Sequence, residues 1–358
     1  MKFIMKRILP FLSFCLFLIG TLQAQPDYKG RIKIIHDNIY KEFYNPAAGL
    51  FMETNDKSKN DNPYSYLWPL CGLIQAANEM ERLEPAKKYM EPVMKAIQQY
   101  YNTTPPAPGY QAVIAKAKVD TRYIDDNQWI GIAYMDAYAR TKDKKYLDLA
   151  GEIYRFMMTG YDSASGGGLY WRENDKTTKN TCSNGPGIIL ALQLYQATKQ
   201  KRYLETAQEL YAWTNKYLLA PEGVYYDAVK LPSLKIDSAT YTYNTGTMLQ
   251  SNVMLYTLTK NKKYLQEAQR IAQAAEKHFY RKNKLPDHYW FNAVFLRGYL
   301  ALYEVDKNKK RLQFIIDDAE RVWQQERDSK NLLGKKREKT LIDQAGMLEI
   351  YARLANVK

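Results

Sequence analysis

The chain has 358 residues, a formal net charge of +14 and a hydrophobic content of 46%, which is typical of a folded globular protein rather than a disordered one. It contains only three cysteines and three histidines, and none of them occur at metal-ligand spacing. These counts are too low for a disulfide framework and argue against a metal site, so we expect neither a metal nor a cofactor.

Residues 1–24 have the pattern of a secretory signal peptide. Lys2, Lys6 and Arg7 precede an apolar run over residues 8–19, and the segment ends at the small residue Ala24. The run is shorter than the roughly 20 residues that a membrane-spanning helix needs. Cys15 lies inside it, which argues against a lipoprotein anchor. The sequence predicts an exported protein, periplasmic or secreted, without a membrane span.

The rest of the chain contains an internal repeat. Four Lys/Arg-Tyr-Leu/Met motifs, centred on Tyr89, Tyr146, Tyr203 and Tyr264, recur at intervals of 57, 57 and 61 residues. Each motif opens a predicted amphipathic helix and follows a more apolar helix. Two further apolar helices near the C-terminus bring the series to six. The predicted apolar helices are Trp68–Met80, Asn127–Arg140, Asn184–Thr198, Asn244–Thr259, Phe291–Tyr303 and Asp343–Leu354.

This alternation predicts an inner ring of buried helices wrapped by an outer ring of half-buried ones. The expected fold class is all-α, an (α/α)6 toroid made of six helical hairpins. An open solenoid is the alternative, but such helical repeats have shorter periods of about 34 to 47 residues. No linker interrupts the pattern, so residues 25–358 are predicted to form one domain. We expect it to be a monomer.

The positive charge is concentrated in four predicted turns between the paired helices. These turns are residues 142–145, 199–202, 260–263 and 307–310, where lysine and arginine dominate. Such positions are usual for solvated charge, and an exported protein seldom meets nucleic acid, so we expect no nucleic-acid partner. An anionic envelope or glycan surface fits the charge better.

Two adjacent carboxylates, Asp125 and Asp126, lie where the second apolar helix begins. Hydrolysis of a glycosidic bond needs such a pair, with carboxyl groups roughly 5–5.5 Å apart for retention of configuration and roughly 6.5–9.5 Å apart for inversion. Neighbouring Cα atoms are about 3.80 Å apart, so this spacing favours retention. Helix capping is the structural alternative, because aspartate is a preferred N-cap.

The repeat supports capping for one carboxylate only. Asp126, Ser183 and Asn244 occupy equivalent positions, and all three are good N-cap residues. The residues equivalent to Asp125 are Cys182 and Tyr243, which are not. The second carboxylate therefore distinguishes this repeat from the others.

Two long connections, residues 160–180 and 221–243, precede the next two apolar helices. They are rich in Gly, Tyr and Trp, and we expect them to form a cleft at the end of the ring where the apolar helices begin. Trp171 is suited to stacking on a sugar ring, although core packing is an equal explanation for any single aromatic residue.

Several motifs, in this order and spacing, resemble glycoside hydrolase family 76, the bacterial and fungal endo-α-1,6-mannanases. The resemblance extends from about Ile39 to Leu354. The motifs that carry it are Asp125-Asp126-Asn127-Gln128-Trp129, Gly167-Gly168-Leu169-Tyr170-Trp171, Lys179-Asn180-Thr181-Cys182-Ser183-Asn184-Gly185, Val224-Tyr225-Tyr226-Asp227 and Thr242-Tyr243-Asn244-Thr245-Gly246.

The resemblance implies an (α/α)6 catalytic domain that cleaves α-mannan with retention, with Asp125 as nucleophile and Asp126 as general acid/base. The substrate-binding candidates at the same rim are Trp171, Asn184, Asp227, Tyr243 and Asn244. Capping is an equal explanation for the two asparagines. The family usually has Trp-Trp or Trp-Tyr where this chain has Tyr170-Trp171, which affects the expected subsite preference.

Three alternatives to this function stay open. The chain could be a transglycosylase that acts on the same substrate, or a glycan-binding toroid without activity. It could also be another toroid enzyme, although sugar epimerases of this shape depend on central histidines, and the three histidines here are scattered.

Overall fold

The computed structural model describes residues 26–357, apart from Lys57, Lys59 and Asp61. The predicted signal peptide lies outside these residues. The described ranges contain twelve α-helices in two sets. The inner helices are α2 (Leu67–Leu83), α4 (Ile124–Thr141), α6 (Thr181–Thr198), α8 (Thr242–Thr259), α10 (Tyr289–Asp306) and α12 (Leu341–Ala355). The outer helices are α1 (Tyr28–Glu42), α3 (Met90–Gln98), α5 (Lys144–Thr159), α7 (Lys201–Leu218), α9 (Lys262–Phe279) and α11 (Gln313–Gln325).

The inner helices form a closed ring. Each packs against the next in chain order, and α12 packs back on α2. The outer helices lie against this ring, with α5 on α4, α7 on α6, α9 on α8 and α1 on α12. The predicted (α/α)6 toroid is therefore confirmed. In the part of the chain that the structure describes, no helix is long and apolar enough to cross a membrane.

The burial of each set follows from its sequence. The buried residues of α9 are Ala268, Ile271, Ala272, Ala275 and Phe279, which form one stripe at helical spacing. The inner helix α8 instead buries residues on all sides, including polar ones.

Two glycines allow α8 and α10 to approach closely. A Cβ atom on Gly298 would lie 2.5 Å from the carbonyl oxygen of Gly246, and one on Gly246 would lie 2.7 Å from the Cα atom of Phe295. Any side chain at either position would push the two inner helices apart.

Three inner helices begin earlier than predicted. The N-cap residues of α4, α6 and α8 are Tyr123, Asn180 and Tyr241, and none of them makes a side-chain capping bond. The third residue of each helix is the residue that was predicted to cap it, namely Asp126, Ser183 and Asn244. The capping interpretation of these residues is therefore wrong, and the carboxylate of Asp126 needs another explanation.

The long connections form a small antiparallel sheet that the sequence did not predict. Its strands, in spatial as well as chain order, are β5 (Tyr170–Arg172), β6 (Asp175–Asn180), β7 (Tyr226–Lys230) and β8 (Lys235–Thr240). Strand β6 runs directly into α6, and β8 is one residue from α8. The connections therefore collect at the N-terminal end of the inner helices, as expected.

Two hairpins complete the strands in the described residues. They pair β1 (Tyr44–Asn45) with β2 (Leu50–Phe51), and β3 (Tyr101–Asn102) with β4 (Gly109–Tyr110). Each hairpin joins an outer helix to the inner helix that follows it. Both therefore lie at the same end of the ring as the sheet.

Candidate active site

A cavity of about 800 Å³ opens at the N-terminal end of the inner ring. Its floor is made from the first turns of five inner helices, because these helices run parallel and bring their N-termini together. The partial positive charge of a helix N-terminus favours anionic groups at such a position. The floor residues are Trp68, Asp125, Asp126, Cys182, Tyr243, Asn244, Trp290 and Phe291.

Asp125 and Asp126 are half-buried in this floor. Burial raises the pKa of Asp125 to about 6, while hydrogen bonds from the Cys182 thiol, backbone amides and the Trp171 indole oppose that rise. Burial and the neighbouring charge of Asp125 raise the pKa of Asp126 well above its usual value. The pair therefore favours an anionic Asp125 beside a protonated Asp126.

One oxygen of the Asp125 carboxylate is left without a hydrogen bond in the described part of the chain. Its Oδ1 atom is buried and has no hydrogen-bond partner among the described residues. A buried carboxylate oxygen without a partner is costly in a folded protein unless it has a function.

Hydrogen bonds and ring contacts connect the floor residues next to the pair. The indole nitrogen of Trp129 donates to the hydroxyl of Tyr243, and the Cys71 thiol donates to the backbone carbonyl of Asp126 at 3.3 Å. The rings of Trp129 and Trp290 are in edge contact, with centroids 5.7 Å apart. Cys71 and Cys182 are both free thiols.

A second polar cluster on the cavity wall is centred on Asp227 of β7. Its Oδ1 atom accepts a hydrogen bond from Asn244 Nδ2 at 3.2 Å, and its Oδ2 atom accepts one from Asn180 Nδ2 at 3.5 Å. The side-chain oxygens of both asparagines are buried and have no partner among the described residues. Burial raises the pKa of Asp227. This cluster can therefore donate and accept hydrogen bonds with a polyhydroxylated ligand.

Aromatic rings cover two sides of the cavity. Trp171 is 38% exposed and lies against Tyr123, with ring centroids 5.0 Å apart. On the other side, His288 contacts both Trp68 and Phe291, and the His288 and Phe291 centroids are 3.9 Å apart. Burial lowers the pKa of His288 to about 4, so its ring is neutral at pH 7.

The structure brings six of the seven predicted site residues to the cavity, and Asn184 is the exception. It is fully buried, and its side chain bonds to backbone atoms. Its Oδ1 atom accepts from the Leu169 amide at 2.9 Å, and its Nδ2 atom donates to the Asn180 carbonyl at 2.8 Å. Asn184 therefore fixes the loop above α6 and does not contact the cavity.

Asn127 occupies the equivalent position of the preceding repeat and does the same. It pairs with both backbone groups of Tyr110, at 2.7 and 2.8 Å. The equivalence of Asn127 and Asn184 is visible in the repeat and could have indicated the structural role. The cavity residues Trp68, His288 and Trp290 lie outside the motifs quoted from the sequence. Asn180 lies inside one of those motifs but was not predicted as a site residue.

The described residues contain no group of three or more His, Cys, Asp or Glu side chains arranged to hold a metal ion. Of the four carboxylates that line the cavity, Asp125, Asp126 and Asp227 are instead surrounded by amides, a thiol and aromatic rings. The arrangement suits proton transfer and nucleophilic attack by carboxylates.

Comparison with known proteins assigns the chain to a family. A mannan endo-1,6-α-mannosidase of Saccharomyces cerevisiae is 31% identical over 174 residues, which are 41% of this chain and 39% of that protein. The chain thus matches about two fifths of that relative. A family 76 glycoside hydrolase from a bovine Bacteroides thetaiotaomicron strain has a similar structure, with a TM-score of 0.85 and 26% identity over 92% of this chain and 78% of that one.

A second solved structure agrees with the first. A family 76 glycoside hydrolase, described as a mannosidase, from Bacteroides thetaiotaomicron VPI-5482 has a TM-score of 0.82 and 26% identity, over 92% of this chain and 98% of that one. The family model named "Glycosyl hydrolase family 76" matches residues 27–355, nearly the whole described chain. The chain therefore belongs to glycosyl hydrolase family 76.

Proposed function

We propose that this protein is an endo-acting, retaining α-1,6-mannanase. The observation that carries the proposal is the adjacent pair Asp125 and Asp126 in the floor of the cavity, with surroundings that favour opposite protonation states. Membership of family 76 and the mannosidase activity named for its relatives support α-mannan as the substrate.

In the first step Asp126 donates its proton to the glycosidic oxygen while Asp125 attacks the anomeric carbon. The bond from the anomeric carbon to the leaving oxygen breaks, and a bond to an Asp125 oxygen forms. Asp125 lines the floor of the cavity, which supports this role. The products are a shortened mannan chain, which leaves as an alcohol, and a mannosyl ester of Asp125.

In the second step Asp126, now a carboxylate, removes a proton from water as the water attacks the anomeric carbon. The ester bond to Asp125 breaks, and Asp125 returns as an anion. Once Asp125 is esterified its negative charge is gone, so the pKa of Asp126 falls and the residue becomes a base. Two inversions at the anomeric carbon give net retention.

Asp227, Asn244 and Asn180 are proposed to hold the hydroxyls of the mannose unit beside the pair. All three residues line the cavity, which supports this role. Trp171 is proposed to stack on a neighbouring mannose, because it is exposed at the cavity edge. Tyr243 is proposed to contribute by holding Trp129 in place, since it accepts the Trp129 hydrogen bond and is only 3% exposed.

We further propose that the protein is exported to the periplasm or secreted as a monomer. The signal-peptide pattern of residues 1–24 supports export. The ring is complete within one chain, which supports a monomeric catalytic unit.

One experiment tests the proposed activity. The chain from Gln25 onward is incubated with linear and with branched α-1,6-mannan, and product sizes are followed over time. Endo-hydrolysis predicts a rapid fall in polymer size with oligosaccharides of many lengths. Release of mannose alone would indicate an exo-enzyme, products longer than the substrate would indicate transglycosylation, and unchanged polymer would refute the proposal.

A further inference from the structure

The end of the ring opposite the cavity is strongly basic. The inner helices α4, α6, α8 and α10 are each 18 residues long, or about 27 Å. Their N-termini meet at the cavity, so their C-termini end at one level on the far side. The tight turns that follow, residues 142–145, 199–202, 260–263 and 307–310, define what we call the basic face.

The basic face carries most of the net charge of the protein. Its four turns contain twelve lysine or arginine residues and one acidic residue, Asp143. That is an excess of eleven positive charges, against a formal net charge of +14 for the whole chain. All twelve cationic side chains are exposed. The cations of the basic face are therefore separated from the cavity by the full length of the inner helices.

Most of these cations have no acidic partner. Lys144 pairs with Asp148, Lys145 with Asp143 and Lys307 with Glu304. The other nine have no carboxylate within 4.0 Å in the part of the chain that the structure describes; they are Lys142, Lys199, Lys201, Arg202, Lys260, Lys262, Lys263, Lys309 and Lys310. Internal ion pairing does not account for this surface.

The backbone conformation at the four helix ends also indicates a role for the lysine side chains. Lys142, Lys199, Lys260 and Lys307 are the C-cap residues, with φ values of 60°, 60°, 61° and 53°. Glycine is the usual residue in this left-handed conformation, because a Cβ atom is disfavoured there. The lysine side chains at these four positions must therefore make an interaction that glycine could not make.

The lysine stems pack on tyrosine rings one helical turn back. The Nζ atoms of Lys142, Lys199 and Lys307 lie 5.5, 5.8 and 5.4 Å from the ring centroids of the tyrosines four residues earlier. Cation–π contact and favourable interaction with the helix C-terminus explain part of this arrangement. They do not explain the five cations at residues 201, 262, 263, 309 and 310, which are exposed beyond the caps.

We propose that the basic face docks the protein on an anionic phospholipid bilayer, with the cavity facing away from the membrane. A bilayer presents negative charge as a plane, which matches cations held at one level by equal helix lengths. An anionic glycan is a poorer match, because sugar recognition uses exposed rings. The exposed large hydrophobic residues of the described chain, namely Val119, Trp171, Leu234 and Tyr241, all lie at the cavity end.

Vesicle co-sedimentation tests this proposal. The chain from Gln25 onward is used, since the apolar residues 8–19 would bind any bilayer and the ring is complete without them. The probes are vesicles of phosphatidylcholine alone, and of phosphatidylcholine with about 30% phosphatidylglycerol. We expect binding to the anionic vesicles only, with loss of binding as salt rises well above about 0.1 M.

Two matched variants test whether the basic face is the surface that binds the vesicles. The basic-face variant changes six exposed cations to glutamine: Lys199→Gln, Lys201→Gln, Arg202→Gln, Lys260→Gln, Lys262→Gln and Lys263→Gln. The control changes six exposed cations at the cavity end: Lys116→Gln, Lys235→Gln, Lys282→Gln, Lys284→Gln, Lys336→Gln and Arg337→Gln. We expect the first to lose at least about tenfold in affinity for anionic vesicles, and the control to bind as the unaltered chain does.

Other outcomes would overturn the proposal. Equal losses in both variants would mean that binding reflects net charge and not a face. Binding to soluble polygalacturonate but not to anionic vesicles would make the surface a glycan-docking site. The basic-face variant should stay folded at the assay temperature and keep its rate on soluble mannan, although loss of the Lys199 contact with Tyr195 should lower its melting temperature slightly. If it unfolds, the assay is repeated with the two lysine turns changed separately.

Discussion

The indole nitrogen of Trp129 donates a hydrogen bond to the hydroxyl of Tyr243, joining α4 to α8 directly behind the carboxylate pair. Both side chains are at most 3% exposed. Tyr243→Phe would leave the Trp129 donor buried without a partner. We expect a loss of stability of about 1–3 kcal/mol, measured by chemical denaturation. Tyr241→Phe is the control, since Tyr241 is 36% exposed, and it should have little effect. Equal stability of the unaltered protein and the two variants would show that the Trp129–Tyr243 hydrogen bond does not stabilise the fold.

The raised pKa values of the pair predict a pH-dependent stability. The pKa of Asp125 rises from 3.8 to about 6 because the group is buried, so the folded state binds the proton more tightly than the unfolded state does. The stability that this contributes is present below about pH 3.8 and is lost as the pH rises through about 6. Asp125→Asn should therefore be more stable than the unaltered protein at pH 7, by about 1–3 kcal/mol, and no more stable at pH 4.

Thermal melts at the two pH values measure this difference. Asp237→Asn, at a partly exposed carboxylate on β8, is measured in parallel as the control for loss of a carboxylate away from the pair. A destabilised Asp125→Asn protein at pH 7 would contradict the burial argument.

Trp171 is expected to act on Asp125 as well as on the substrate. Its indole hydrogen bond opposes the rise in the pKa of Asp125. Trp171→Phe keeps a ring for stacking but loses the donor, so the acidic limb of the kcat/KM profile should move to higher pH. Trp171→Ala should also raise KM, by roughly tenfold. Trp323→Ala, on the outer helix α11, should lower the melting temperature without changing KM. If the pH profile of kcat/KM for Trp171→Phe coincides with that of the unaltered protein, the interaction of Trp171 with Asp125 is refuted.

Asp227 is expected to position the amides of Asn180 and Asn244 for the substrate. Asp227→Ala should lower kcat/KM by roughly 10²-fold. It should also lower the stability by about 1–3 kcal/mol, because two buried amide groups lose their acceptor. Asp237→Ala on the adjacent strand provides the matched control. Unchanged kinetics for Asp227→Ala would remove this cluster from the substrate site.

The ring itself was predictable because its signal is periodic and strong. Six apolar helices recur at nearly constant intervals, and their burial on all sides follows from their composition. The first residues of the helices were harder to predict from the sequence. Tyr123 and Tyr241 occupy the N-cap positions without capping bonds, so the usual Asp, Ser or Asn signal indicated residues further along each helix.

The sheet and part of the site could not be read from the sequence. Strand β6 consists of six polar residues, so it lacks the alternation by which a strand is recognised. The carboxylate pair was found because no structural position in the repeat requires Asp125. His288 and Trp290 reach the cavity only because the ring closes, which is a long-range relation that local patterns do not contain.

Retention of configuration is checked by proton NMR of the first product. The adjacent carboxylates predict that an α-linked mannan gives the α-anomer before mutarotation. An initial β-anomer would refute retention, and with it the role of Asp125 as nucleophile.

The most direct test of the proposed roles is burst release of the leaving group from an activated aryl α-mannoside in Asp125→Asn and Asp126→Asn. A good leaving group needs no proton donor, so Asp126→Asn should show a burst close to the enzyme concentration, although it hydrolyses mannan roughly 10²–10⁴-fold more slowly. Asp125→Asn should show no burst, because no leaving group replaces a missing nucleophile. A burst in Asp125→Asn, or an unaltered rate on mannan in Asp126→Asn, would contradict the assignment.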